Sequence, residues 1–298
     1  MGMAQAFQSI REAPSCKPQD PRAKRSRTCR ADLKVGHYTE QNRERIWQAR
    51  VRGGGLTTAQ ANRTAAKIHP RRIALFGGSF DPIHSGHLTV ARAADRRFNF
   101  DEIHFIAASR PPHKLKQHLG PFPHRFAMVA LACTEHPHFV PSLAEAGEDF
   151  SGVQLQYSVD TVRYFRHAYH APGDRVFFIV GADAFLDIPM WKEYETLLGL
   201  CDFVIANRPG IRLEALRLVI PPDLVARADE KREKEEEEIA RGSPIVARLH
   251  RTTVYLLENV SNEVSATEIR KKVSRGQSIH GLVPPRVEEY ILKQGLYR

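Results

Sequence analysis

An α/β fold built on a parallel sheet is predicted by three features of this 298-residue chain. From Arg71 onward, short apolar runs alternate with amphipathic stretches, the texture of βαβ units. Hydrophobic residues make up 42% of the chain, enough to bury a sizeable core. The first apolar run, Ile73–Phe76, passes through Gly77-Gly78-Ser79 into a periodic stretch, which reads as strand, turn and helix.

Strands are expected at Ile73–Phe76, Glu102–Ala107, Arg175–Val180, Asp202–Ala206 and Val254–Leu257. Helices fall between them at His87–Phe98, Pro123–Glu135, Ser158–His170 and Ala184–Leu198. Two more close the chain, Ala266–Ser274 with Ser265 as its N-cap and Pro285–Gln294. The charged run Asp229–Glu238 has the spacing of a solvated helix; a functional acidic patch is the sharper alternative.

The net charge of +10 sits almost wholly at one end: residues 1–70 hold 14 Lys/Arg against 5 Asp/Glu, leaving 30 and 29 for the rest. The folded part is therefore nearly balanced, and no nucleic-acid partner is expected for it. Residues 1–70 are poor in large apolar groups and broken by Gly53-Gly54-Gly55. They read as a basic, mostly disordered extension, with residues 71–298 as the folded domain. A transit peptide, or translation that starts further in, are other readings of that segment. Four scattered cysteines without a CxxC pair fit a reducing compartment. No apolar run reaches the roughly 18 residues of a membrane span, and the start lacks the apolar core of a secretory signal. A cytoplasmic protein without a membrane partner is expected, and a homo-oligomer is compatible with the sequence.

A glycine turn between a buried strand and a helix start presents backbone N–H groups to a phosphate, and the helix end favours negative charge. Paired glycines alone are a weak signal, because any tight turn of this kind uses one. The segment that follows, Phe80-Asp81-Pro82-Ile83-His84-Ser85-Gly86-His87, adds two imidazoles three residues apart. That spacing also suits metal ligands or plain structural caps. The positive end of a helix disfavours a cation, so His84 and His87 read better as hydrogen-bond donors to a polyphosphate.

Residues 77–88, GGSFDPIHSGHL, resemble the signature of the HxGH nucleotidylyltransferase superfamily. The resemblance implies a Rossmann-like, doubly wound parallel sheet with C-terminal helices. Further on, PPHK (111–114), YSVDT (157–161), GADAFLDIPMWKEYE (181–195), NRPG (207–210), VSATEIR (264–270) and LY (296–297) are similar in order and spacing to bacterial nicotinate-nucleotide adenylyltransferases. The likeness spans about residues 71–298. It implies that Gly77, Gly78, Ser79 and Phe80 meet the nucleotides through their backbone. His84 and His87 would hold the ATP phosphates, with Lys114 and Arg270 as further catalytic cations. Asp183 would lie beside a ribose, while Ser265 and Thr267 complete the ATP site. Tyr157, Ser158, Trp191 and Arg208 would form the pyridine site, Trp191 by stacking. Where some members carry Asn ahead of PPH, this chain has Ala108 and Ser109.

The implied reaction transfers AMP from ATP to nicotinate mononucleotide by direct in-line attack, a step of NAD biosynthesis that releases pyrophosphate. A phosphate monoester is largely ionised at neutral pH, with a second pKa of ~6, so neither a general base nor a covalent intermediate is needed. Mg²⁺ is the expected cofactor, carried mainly on the ATP phosphates without a protein ligand. Two rival readings stay open. Phosphopantetheine adenylyltransferase shares the HxGH logic, but Trp191, NRPG and YSVDT speak against it. A nucleic-acid-binding module built on residues 1–70 would leave Gly77–His87 without a role.

Overall fold

The computed structural model describes residues 70–109, 119–146, 155–207, 210–227, 230–258, 260 and 264–298. Segment 1–69 lies outside the described residues, as do Lys114 and Arg208. The strands among them are β1 (Arg72–Gly78), β2 (Glu102–Ala107), β3 (Phe139–Ser142), β4 (Arg175–Gly181), β5 (Asp202–Ala206), β6 (Ile245–Arg248) and β7 (Thr253–Leu257). They form one sheet of order β3-β2-β1-β4-β5-β7-β6, parallel throughout except for β6 at one edge. The helices are α1 (Ser85–Phe98), α2 (Phe122–Cys133), α3 (Ser158–Ala168), α4 (Ala182–Leu186), α5 (Tyr194–Leu200), α6 (Leu213–Leu218), α7 (Glu230–Ala240), α8 (Ala266–Ser274) and α9 (Pro285–Gln294). The expected doubly wound α/β sheet is the observed fold. Among the described residues no helix is long and apolar enough to cross a membrane.

Both faces of the sheet are covered, so its central strands read as unbroken apolar runs rather than as alternation. Ile73 and Leu75 of β1 share a core with Val162 of α3, Phe185 of α4 and Leu197 of α5. Ala74 and Phe76 share the other with Ala91 of α1, Met128 of α2, Ile269 of α8 and Val287 of α9. The strand order reverses between β1 and β4, whose Phe76 and Ile179 pair, and both strands end in glycine just beyond. A parallel sheet opens a crevice at the carboxyl ends of its strands at such a switch point. The glycine turn stands there.

Three expectations need correction. Ala184–Leu198, expected as one helix, is α4, a 3-10 turn at Ile188–Met190, and α5. Pro189 lacks the N–H that a continuing helix needs, and Glu193 takes a left-handed φ of 49° before α5 restarts. The edge strands β3 and β6 were not expected, because four residues are too few to show a period. Nor is the charged run wholly solvated. In α7, Glu236, Ile239 and Ala240 are buried, and Glu236 accepts hydrogen bonds from Arg232 (2.7 Å), Arg248 (3.0 Å) and the Thr253 hydroxyl.

Candidate active site

The chain leaves β1 at Gly78 and turns into α1. Phe80 takes a left-handed φ of 46° and sends its ring into the core against Phe76 and Phe105, leaving the backbone on the crevice side of the turn. A Cβ on Gly78 would come 3.1 Å from that ring, a tight approach that the second glycine avoids. Gly77 would meet nothing nearer than 3.8 Å and is exposed, which suits close approach by a ligand.

His84 is the buried N-cap of α1, and His87 stands at its third position. The His84 N–H donates to His87 Nδ1 (3.3 Å), which leaves Nε2 of His87 as the donor nitrogen of a neutral ring. The two rings lie 3.8 Å apart between centroids at 31°. A Cβ on Gly86 would fall 3.0 Å from the His84 ring and 3.5 Å from the Val264 carbonyl. The glycine between the histidines thus leaves room for the tilted pair of imidazoles and brings the approach to α8 against the start of α1.

From α8, Arg270 donates through Nη1 to the Asp81 carbonyl (2.6 Å) and through Nη2 to the Thr267 hydroxyl (3.3 Å). Ser265 caps the same helix, accepting from the Glu268 N–H at 3.1 Å, as expected. Two helix N-termini therefore converge on the turn, with His84, His87 and Arg270 beside them, an arrangement of positive potential suited to an anion.

Four residues that the sequence reading left without a role hold this half together. Asp81 is buried, and its carboxylate accepts from the Tyr297 hydroxyl (2.7 Å) and the Gly120 N–H (3.0 Å). Burial and the negative charge of Asp81 raise the Tyr297 phenol well above its ordinary range, so it stays a donor. Arg125 of α2 is buried against backbone carbonyls that include Ser79 and Gly120. A signal existed for Arg125: it precedes the buried Met128 and Val129 by three and four residues, a register that an apolar side chain normally fills.

The other half lies under the ends of β4 and α3. Asp183 is exposed in the first turn of α4, directly after β4. Tyr157 caps α3, Ser158 begins it, and Trp191, half-buried, stands edge-on to Phe178 with centroids 6.1 Å apart. Lys192 ties the two segments, its Nζ lying 4.7 Å over the Tyr157 ring and 3.1 Å from Asp160. Behind them the Thr161 hydroxyl donates to Glu145 (2.8 Å), whose carboxyl burial pushes up to about 7. The structure thus gathers His84, His87, Ser265, Thr267 and Arg270 around the turn, and joins Tyr157 and Ser158 to the Trp191 segment.

Known proteins are similar in sequence and in fold. Residues 75–272 match the cytidylyltransferase-like family model. The chain is 38% identical over 230 residues, 77% of its length and 93% of the relative's, to a Moorella thermoacetica protein named "Probable nicotinate-nucleotide adenylyltransferase". It is also 38% identical over 231 residues, 76% of its length and 98% of the relative's, to a protein of that name from Citrifermentans bemidjiense. Among solved structures, Plasmodium falciparum nicotinic acid mononucleotide adenylyltransferase complexed with NaAD is similar with a TM-score of 0.51 at 21% identity, covering 76% of this chain and 97% of that one. At that identity the likeness speaks for the fold. Identity spread over nearly the whole length of its relatives, on a sheet that sets GGSFDPIHSGHL at its switch point, shows that the chain belongs to the nicotinate-nucleotide adenylyltransferase family.

Proposed function

We propose that the chain transfers AMP from ATP to nicotinate mononucleotide, forming deamido-NAD and pyrophosphate. The observation that supports this best is the convergence of two helix N-termini, His84, His87 and Arg270 on the turn after β1. A phosphate oxygen of the mononucleotide forms a bond to the α-phosphorus of ATP. The bond from that phosphorus to the bridging oxygen breaks, and its electron pair leaves with pyrophosphate. The attacking oxygen is already ionised, so the protein has only to align the groups and offset charge.

In this reading His84, His87 through Nε2, and Arg270 stabilise the departing pyrophosphate. Gly77, Gly78, Ser79 and Phe80 offer backbone N–H groups, Ser265 and Thr267 complete the ATP side, and Asp183 meets a ribose. Lys114 and Arg208 add cations on the strength of their motifs. Mg²⁺, bound together with ATP, would supply further neutralising charge. Among the described residues no three His, Cys, Asp or Glu gather as a metal cage, and the Asp81 carboxylate is engaged by Tyr297 and Gly120. This donor set fits a metal held by phosphates and water rather than by side chains.

Trp191 stacks on the electron-poor pyridinium, and the N–H groups at the start of α3 face the carboxylate. Such donors leave an amide NH₂ without an acceptor, at a cost of ~1–3 kcal/mol, about tenfold or more in discrimination. The test is pyrophosphate release from ATP and Mg²⁺ with nicotinate mononucleotide, nicotinamide mononucleotide or 4′-phosphopantetheine as acceptor. We expect kcat/KM for the nicotinate form to exceed that for the amide by about tenfold or more, with no turnover of phosphopantetheine. Turnover of phosphopantetheine alone would refute the reading.

A further inference from the structure

We propose that Arg125 is a positioning residue that fixes the phosphate turn by gripping its backbone; the proposal rests on the adenylyl-transfer reading of that turn. Its guanidinium donates from Nη1 to the carbonyls of Ser79 (2.7 Å) and Ala108 (2.7 Å), from Nη2 to Ser109 (3.2 Å) and from Nε to Gly120 (2.8 Å). Ser79 belongs to the turn after β1, Ala108 and Ser109 to the exit of β2, and Gly120 to the approach to α2. One planar group therefore holds three separate segments at the carboxyl edge of the sheet. Asp81 grips Gly120 from its other polar group, the N–H at 3.0 Å, and a Cβ on Gly120 would lie 2.7 Å from the Asp81 carboxylate.

Packing alone does not call for this residue. Arg125 is 2% exposed in a stripe of α2 that an apolar side chain would fill, and burying a charge is costly. Among the described residues it forms no salt bridge; carbonyl dipoles meet its charge directly, with the Phe122 ring 5.5 Å from the guanidinium carbon and the Asp81 carboxylate acting from further off. Only arginine offers a rigid fork of N–H donors able to reach carbonyls on several sides; a lysine ammonium is a single point with three donors. The path from the grip to the chemistry is short. Ser79 is followed by Phe80, whose ring stands edge-on to His87 with centroids 5.0 Å apart at 74°. A turn that slackens at Ser79 lets Phe80 shift, and His87 with it, although Arg125 touches no substrate.

The test uses the full chain with Arg125→Lys, which keeps the charge and loses the fork, and Arg125→Gln as a second variant should the first misfold. In hydrogen exchange, the amides of Ala108 and Gly120, which donate to the Gly78 carbonyl and the Asp81 carboxylate, should exchange about tenfold or more faster than in the wild type, while β4 and β5 keep their protection. In the pyrophosphate assay, kcat should fall by about 10- to 100-fold with a KM for ATP changed less than about threefold, as expected of misplacement without lost binding. Combined with His87→Ala, the two losses should fail to multiply, because Arg125 acts through His87. Unchanged exchange at Ala108 and Gly120 in a folded variant would overturn the proposal, and so would losses that multiply fully with His87→Ala. The exchange measurement needs no substrate, so an inactive wild type would count against the functional reading and leave this one to be decided by exchange.

Discussion

The two halves of the crevice are built by different means. Around the turn after β1, Asp81, Arg125, Arg270 and Tyr297 make hydrogen bonds across the chain, anchored on groups about 2% exposed. On the β4 side, the Trp191 segment is tied to α3 by Lys192–Asp160 and Arg163–Glu193, pairs whose cations are 42% and 44% exposed. Exposed pairs of this kind contribute only ~0.2–1 kcal/mol each. The helix there is also interrupted at Pro189. A site that must meet charge developing at one phosphorus needs donors that do not move, whereas a site that recognises a flat ring tolerates looser supports. On the proposed function, the buried half carries the chemistry and the surface half the choice of acceptor.

His87→Ala strikes the buried half, and kcat should fall by ~10² or more with the melting temperature little changed, read by pyrophosphate release and thermal denaturation. Near wild-type turnover would break the division. Trp191→Ala strikes the other half and should raise KM for the mononucleotide by about tenfold, with kcat much less affected. Tyr297→Phe deletes a donor to the buried Asp81 carboxylate; denaturant unfolding should show a loss of ~1–3 kcal/mol and turnover a drop of several-fold.

Glu145 sharpens the comparison through pH. Its folded pKa is about 7 against an ordinary 4.5, chiefly from burial, with the Thr161 hydroxyl acting the other way. A raised pKa means a contribution to stability that is whole below 4.5 and lost as pH rises through about 7. Stability of the wild type relative to Glu145→Gln should therefore decline across that window, by ~1–3 kcal/mol, in melts between pH 4 and 8. A flat difference would show that Glu145 titrates normally. The smallest effect is expected from Lys192→Ala, ~0.5 kcal/mol or less in unfolding, since its pair with Asp160 is exposed.

Much of this was legible in the sequence because the central strands are covered on both faces. Ile73–Phe76 and Asp202–Ala206 show as apolar runs for that reason, and the glycine turn with its two histidines is local chemistry. What escaped depends on distance along the chain. Asp81 stood inside the recognised motif, yet its partners Gly120 and Tyr297 lie 39 and 216 residues away. Arg125 stands in an apolar register of its helix, but its carbonyl partners lie at two strand exits and on the approach to α2, which no helical period reveals. The break in Ala184–Leu198 was signalled by Pro189 but hidden by the apolar spacing around it. Glu236 hid in the charged run for the opposite reason, since composition cannot tell which carboxylate of several turns inward.

The division between the halves is tested most directly by the acceptor preference of the variants. kcat/KM for nicotinate and nicotinamide mononucleotide should be measured side by side in the wild type, His87→Ala and Trp191→Ala. We expect His87→Ala to lower both values by one common factor and keep their ratio, while Trp191→Ala acts through KM. A ratio altered in His87→Ala, or a Trp191→Ala variant that loses kcat with KM unchanged, would contradict it.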